Sequence, residues 1–441
     1  MMELFLLITV FISSFSLISS TKTIEPPFIP GKLLITAWNA PSHLCDISFK
    51  IKVDVSIFDY VGFPSGHLKN QDIMLFYESQ LGIYPHIDSE GNAIHGGVPQ
   101  LGDLRTHLKK AEEDIQKLIP SDSSRLCIID WEAWRPLWRR NWGSLSIYKQ
   151  MSEKFVQENL TNIYPTWKIK TIAEKQFENA AKNFMLRTLQ LGQRLKPKCL
   201  WGFYLFPNCY NYEYKKENFL YTGRCPKIEP SRNDLLQWMW HESDALYPSI
   251  YVELMLKDSP KTVPYVRYRL DESIRVASPP LTEKTKYIFP YVMPVYTETD
   301  TFLTESDLIA MVGEPVSLGI DGCIFWTSSQ VTVKKDSCLA MRDYMDNVLQ
   351  PYLTNLTTAA QLCSTILCSG KGRCVRKEHT APIYLHLPRS FNITPSYEVG
   401  EPPKVTGCLL EADARQMRDD FFCKCWEPDC ENFSEEQHCI T

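Results

Sequence analysis

Positive charge is in short supply. The 441 residues carry 47 Lys and Arg against 52 Asp and Glu, a net charge of −5. That balance excludes nucleic acid as a bulk partner. Long apolar runs are missing too. Beyond the N-terminal leader, no stretch reaches the ~18 uninterrupted apolar residues of a membrane-spanning helix. There is no paired C-x-x-C…C-x-x-C and no H-E-x-x-H, so a zinc centre has no sequence support. The C-terminus, EEQHCIT, lacks the hydrophobic tail of a lipid-anchor signal. No internal repeat or low-complexity segment stands out. The expectation is a chain with no transmembrane segment, no lipid anchor, no metal and no cofactor.

The first 20 residues read as a secretory signal. Leu4–Ile12 is nearly all apolar and Ser13, Ser14, Ser16, Ser19 and Ser20 follow, although the leading segment carries Glu3 and no Lys or Arg. Fifteen cysteines behind such a leader imply an oxidising compartment and disulfides. Sequons at Asn159, Asn355, Asn392 and Asn432 point the same way. At 44% hydrophobic and 12% aromatic, the composition supplies an ample core, enough for one large domain and one small one.

The stretch Leu126–Trp142, LCIIDWEAWRPLWRRNW, organises the rest. Leu126, Cys127, Ile128 and Ile129 form the apolar run of a strand buried on both faces. Residues i and i+2 of a strand share a side, so Asp130 and Glu132 bring two carboxylates together at its end. Trp131, Trp134, Trp138 and Trp142 flank them. Two like charges in an aromatic setting cannot both ionise easily, so one carboxyl stays protonated near neutral pH. A sugar-cleaving enzyme uses such an acid to protonate the leaving glycosidic oxygen. Arg135, Arg139 and Arg140 are either a local basic patch for an anionic ligand or a solvated face.

From about residue 33 to 330, strand-like runs alternate with helical ones. The strands are expected at Leu33–Asn39, Val55–Val61, Ile73–Tyr77, Leu126–Glu132, Leu200–Phe206, Ala245–Val252, Tyr287–Val292 and Gly319–Trp326. Helices are expected over Leu101–Ile119 and from about Ile172 to Leu195, with a closing helix at Asp336–Leu353. The fold class is α/β, a parallel (β/α) barrel. Barrel enzymes work at the C-terminal ends of their strands, here Asn39, Tyr77, Asp130 and Glu132, Tyr204, Tyr247, Tyr291 and Trp326. Beyond residue 360, Cys363, Cys368, Cys374, Cys423, Cys425 and Cys430 follow the six-cysteine order of an EGF-like module with a long third-to-fourth gap. By that analogy the pairs are Cys363–Cys374, Cys368–Cys423 and Cys425–Cys430. The expected division is a signal at 1–20, a catalytic barrel at 21–355 and a disulfide-rich EGF-like module at 356–441.

IIDWEAWRPLWRRNW, with ITAWNAPSHLC at 35–45, LFYESQLGIYP at 75–85, LWGFYLFPNCYNY at 200–212, ALYPSIYV at 245–252 and YVRYRL at 265–270, resembles the animal hyaluronidases, glycoside hydrolase family 56. The resemblance spans nearly all the mature chain and is strongest to the sperm-type mammalian group. It implies a distorted (β/α) barrel with a long groove and an endo-acting hydrolase that cuts β-1,4 bonds after N-acetylglucosamine in hyaluronan, with chondroitin as a further substrate. An alternative is a hyaluronan-binding adhesion protein on the same fold, weak or inactive in turnover. The implied mechanism is substrate-assisted and retaining: Glu132 matches the general acid/base, and the substrate's acetamido oxygen is the nucleophile. Asp130 matches the neighbour that hydrogen-bonds Glu132. Tyr204 and Tyr247 match the holders of the acetamido group and leaving oxygen, Trp326 the pocket wall, and Tyr77 and Arg269 the groove, with Arg269 a partner for a glucuronate carboxylate. The resemblance also implies Cys45–Cys338 and Cys209–Cys225, and leaves Cys127, Cys199, Cys323, Cys408 and Cys439 unassigned. Asn208 departs from the Asp expected in several vertebrate members. The implied location is outside the cell or inside a secretory vesicle such as an acrosome or lysosome.

Overall fold

A computed structural model of the chain describes residues 23–63, 69, 71–122, 124–160, 164–217, 220–278, 285–396, 400–433 and 438–441. The leader expected at 1–20 lies outside these residues. Among the described residues no helix is long and apolar enough to cross a membrane.

The barrel staves are β1 (Ile35–Asn39), β2 (Tyr60–Val61), β3 (Ile73–Phe76), β4 (Arg125–Ile129), β5 (Cys199–Phe203), β6 (Ala245–Leu246), β7 in two pieces (Tyr287–Ile288 and Tyr291–Val292) and β8 (Gly322–Trp326). All pairings between them are parallel. β3, β4 and β5 lie side by side, with Ile73 opposite Leu126 and Leu126 opposite Leu200. β8 lies between β1 and β7, β2 adds beside β1, and β6 pairs with β7. Single bridges at Tyr204–Tyr247 and Ser249–Tyr291 carry the ring across β5, β6 and β7. The seam between β2 and β3 is held by a side chain, with Val61 N–H donating to Asp72 Oδ2 at 3.3 Å.

Parallel staves covered on both faces need apolar residues on both faces, and the burial follows this rule. Leu126 and Ile128 point into the barrel with Ile35, Ala37, Ile73, Leu75, Leu200 and Ile324. Cys127, Ile129 and Trp131 point out towards the helices. Helix α1 (Leu104–Leu118) starts at Asp103, whose side chain accepts the Thr106 N–H, and buries His107, Ala111 and Ile115. Helix α2 (Thr166–Leu195) buries Phe177, Ala181 and Phe184 on the same outer layer. Gly192 is required here, because a Cβ would sit 2.7 Å from the Trp201 ring.

Helix α3 (Thr262–Val276) covers the β6–β7 side. The closing helix expected at 336–353 spans Lys335–Tyr344, continues through Met345–Leu349, and passes into α4 (Gln350–Cys368). α4 leads into the C-terminal region, where Gly372–Arg376 pairs antiparallel with Phe421–Cys425. A three-stranded sheet from Phe391–Thr394, Lys404–Cys408 and Cys439–Ile440 completes it. Buried Glu314 binds this region to the barrel: it accepts two bonds from Arg376, at 2.7 and 2.8 Å, and one from Arg267. Six disulfides are present: Cys45–Cys338, Cys209–Cys225, Cys363–Cys374, Cys368–Cys423, Cys425–Cys430 and Cys408–Cys439. Cys127, Cys199 and Cys323 are buried and carry no disulfide.

Candidate active site

Period-2 geometry builds the site. On each stave, the inward residue one step past the core layer emerges at the C-terminal mouth. Ile73 and Leu75 lead to Tyr77, Leu126 and Ile128 to Asp130, Leu200 and Gly202 to Tyr204, and Ile324 to Trp326. Backbone bonds hold these ends in place: Asp130 N–H donates to Phe76 O at 2.8 Å and Tyr204 N–H to Ile129 O at 3.0 Å. The result is a cleft of about 200 Å³ lined by Leu75, Tyr77, Glu78, Asp130, Glu132, Tyr204, Tyr251, Tyr291 and Trp326. Outward-facing Trp131 stacks on Tyr84 at 4.6 Å and locks the D-x-E segment from behind.

A larger hollow, of about 730 Å³, lies between residues 42–63, 342–350, 395–396 and 401–403. Its wall mixes Lys52 and Arg342 with Asp46, Asp54, Asp346 and Glu401, and among the described residues it includes no Tyr or Trp. The smaller cleft, at the C-terminal mouth of the staves, is therefore the candidate active site.

Asp130 is buried, and its carboxyl is held well above the usual range by that burial and by the charges of Glu132 and Glu78, with Arg135 opposing. Among the described residues its Oδ1 has no hydrogen-bond partner. Glu132 is raised by burial in the cleft and by Glu78, again against Arg135. It is still 45% exposed along the side chain, so it is reachable from the cleft. Arg135 grips it from one side: Nη1 donates to Glu132 O at 2.6 Å and Nη2 lies 3.3 Å from Oε2. Tyr77 is pushed up to about 12 by burial, against the opposing effect of the Trp326 indole and with a smaller push from Asp130, Glu132 and Glu78. Burial also keeps Tyr204, Tyr251 and Tyr291 protonated throughout the working range. The Tyr204 hydroxyl engages Ser249 and Tyr251, and Tyr251 stacks on Trp326 at 5.9 Å. The cleft thus combines an acid able to give up a proton, a neighbouring carboxyl, phenolic donors and a flat aromatic wall.

Of the residues expected at the site, Tyr77, Asp130, Glu132, Tyr204 and Trp326 converge. Tyr247 does not. It is fully buried one layer down, where Gly202 leaves room for its ring, and its hydroxyl donates to Leu200 O at 2.7 Å. Four residues on, and on the same inward face, Tyr251 occupies the cleft instead. Arg269 is also absent from the lining. It is buried on α3, donating to Asn211 Oδ1 at 2.9 Å and Ser249 O at 3.0 Å beneath the rings of Tyr212 and Tyr265. Asn39 is fully buried below the cleft floor beside Tyr291.

The three arginines after the pair separate. Arg135 meets Glu132, Arg139 is exposed, and Arg140 is buried against Glu229 at 2.7 Å and Asn233 at 2.8 Å. Asn208 lies outside the cleft, its carbonyl accepting from Asn233. Tyr251 and Glu78 are the lining groups that motif reading passed over, and Arg135, expected in a basic patch or a solvated face, grips Glu132 instead. Counting inward positions from Ala245 through 247 and 249 reaches Tyr251 on the same face as Tyr247, and the count alone admits both.

The sequence and fold have relatives. A family profile described as Hyaluronidase matches residues 23–438. Hyaluronidase-1 of Bitis arietans is 40% identical over 406 residues, covering 91% of this chain and 90% of that protein. Hyaluronidase PH-20 of Rattus norvegicus is 42% identical over 416 residues, covering 93% of this chain and 80% of that protein. The crystal structure of bee venom hyaluronidase matches with a TM-score of 0.61 and 29% identity, covering 73% of this chain and 99% of its own. The bee enzyme in complex with a hyaluronic acid tetramer matches with a TM-score of 0.60 and 29% identity, covering 71% and 96%.

Proposed function

The chain belongs to the hyaluronidase family, and we propose that it is a secreted endo-β-N-acetylhexosaminidase that hydrolyses the β-1,4 N-acetylglucosaminide bonds of hyaluronan. The observation that carries this reading is the paired carboxyls Asp130 and Glu132, both raised by burial and by the charge of Glu78, set among Tyr77, Tyr204, Tyr251 and Trp326.

Glu132 is the general acid: protonated at rest, it gives its proton to the leaving glycosidic oxygen and afterwards takes one from water. The nucleophile is the substrate's acetamido oxygen, so the protein needs no second carboxylate at nucleophile distance and anomeric configuration is retained. Asp130 orients the acetamido N–H and stabilises the positive charge that develops on that group. Tyr204 and Tyr251 donate to the acetamido and leaving oxygens, Trp326 forms the wall of the acetamido pocket, and Tyr77 lines the groove. Unsulfated chondroitin presents the same acetamido group and is a second substrate. A location in the extracellular space or a secretory vesicle agrees with the disulfides.

The test is to incubate the purified protein with hyaluronan, and separately with unsulfated chondroitin, from about pH 4 to about pH 7.5, measuring product size and reducing ends. The wild type is expected to give even-numbered saturated oligosaccharides. Glu132→Gln should lose about 10²–10⁴-fold in turnover while still binding hyaluronan. A Glu132→Gln variant with near-normal turnover would remove the general-acid assignment. Binding without cleavage at every pH would leave an adhesion protein.

A further inference from the structure

Arg135 poses a difficulty for a general acid at Glu132. A guanidinium against a carboxylate favours the ionised form, whereas the acid must begin protonated. The cleft holds a third carboxylate that the D-x-E pair does not include. Glu78 follows Tyr77 at the end of β3, lines the same cleft, and its Oε1 accepts the Glu132 backbone N–H at 3.4 Å. Among the described residues it has no salt-bridge partner, whereas Asp59 is matched to Lys32, Asp72 to Arg125 and Asp321 to Arg373.

We propose that Glu78 is a positioning residue of the hydrolysis, anchoring the Glu132 main chain and counterbalancing Arg135 across the cleft. The proposal rests on the reading of Glu132 as general acid. The groups facing Glu78 are Asp130 and Glu132 at the end of β4, Arg135 on the loop beyond, Tyr77 on its own stave, and Tyr84 and Tyr148 from neighbouring segments. The tyrosines are raised by burial and stay neutral, so the local balance is three carboxyls against one guanidinium. A negative charge at Glu78 favours the neutral forms of both Asp130 and Glu132, opposite to Arg135. Removing its charge lets Glu132 ionise at lower pH, so the alkaline limb of the pH–rate profile must move towards acid.

The experiment compares full kcat/KM profiles on hyaluronan for the wild type, Glu78→Gln and Glu78→Asp. In Glu78→Gln the alkaline limb should move to lower pH, with activity on that limb falling roughly threefold to tenfold relative to the variant's own plateau. Glu78→Asp, which keeps the charge, should retain the wild-type limb. A uniform loss at every pH, with the limb unmoved, would make Glu78 merely structural and overturn the proposal. A carboxyl titration by NMR of ¹³C-glutamate-labelled protein gives a readout independent of turnover: the resonance that disappears in Glu132→Gln should titrate at lower pH in Glu78→Gln. If the wild type cut no substrate, the hydrolase reading would fall. The titration would still decide the contact, and an unshifted Glu132 resonance would overturn it.

Discussion

Replacing Tyr251 and Tyr247 separately by Phe should split activity from stability. Tyr251 lines the cleft, stacks on Trp326 at 5.9 Å and shares its hydroxyl network with Tyr204. On the proposed mechanism its O–H donates to a substrate oxygen that gains charge in the transition state. A hydrogen bond to a charged partner is worth about 1.5–3 kcal/mol, so Tyr251→Phe should cost roughly tenfold to a hundredfold in kcat. The ring remains, so stacking and folding change little. Tyr247 has no exposed surface, and its hydroxyl donates at 2.7 Å to Leu200 O inside the barrel. Tyr247→Phe loses one buried hydrogen bond, about 1–2 kcal/mol of stability, and leaves kcat near the wild-type value. The assay pairs reducing-end kinetics on hyaluronan with urea unfolding followed by Trp fluorescence. A large fall in kcat for Tyr247→Phe at unchanged stability, or full kcat for Tyr251→Phe, would refute the layer assignment.

Two further outcomes can be checked. Cys45–Cys338 closes a loop of 293 residues and Cys209–Cys225 one of 16; on chain entropy the long bridge contributes up to about 5 kcal/mol and the short one about 3. The Cys45→Ala/Cys338→Ala double variant should therefore unfold at lower urea than Cys209→Ala/Cys225→Ala, and the reverse order would refute the ranking. Asp130→Asn should abolish turnover yet raise stability at neutral pH. Burial and neighbouring charge raise the folded-state pKa of Asp130, so the folded chain binds more protons than the unfolded chain, and wild-type stability falls as pH rises through that window. The variant's advantage should vanish at acid pH, where Asp130 is protonated; an advantage that persists there, or none at neutral pH, would contradict the assignment.

Much of the barrel was legible because its physics is local. Runs such as Ile73–Phe76 and Leu126–Ile129 are apolar at every position, as staves covered on both faces require. The missed boundaries have particular causes. The stave expected over Ala245–Val252 is laddered only at Ala245–Leu246, because Pro248 offers no N–H, and beyond it only a single bridge from Ser249 to Tyr291 remains on that side, with Tyr247 bridging to Tyr204 on the other. Pro290 divides β7 in the same way. The strand expected over Val55–Val61 shrinks to two residues because Asp59 turns its carboxylate back to the Thr36 N–H, at 3.0 Å, and leaves the segment before Tyr60 as loop. In the site, Asp130 and Glu132 were readable from i, i+2 geometry alone. Tyr247 and Tyr251 share one inward face, so periodicity cannot choose between them. The choice depends on how deep each sits, which Gly202 on the neighbouring stave decides by leaving a space that the Tyr247 ring fills. Arg269 shows the same limit from a helix: its sequence neighbours do not say whether it faces the groove or the packed layer beneath, where Asn211 and Ser249 hold it. Cys408–Cys439 depends on Lys404–Cys408 lying antiparallel to Cys439–Ile440, a register between segments about thirty residues apart that composition does not encode. Local periodicity determines which side chains can reach the mouth of the barrel; contacts between staves determine which of them get there.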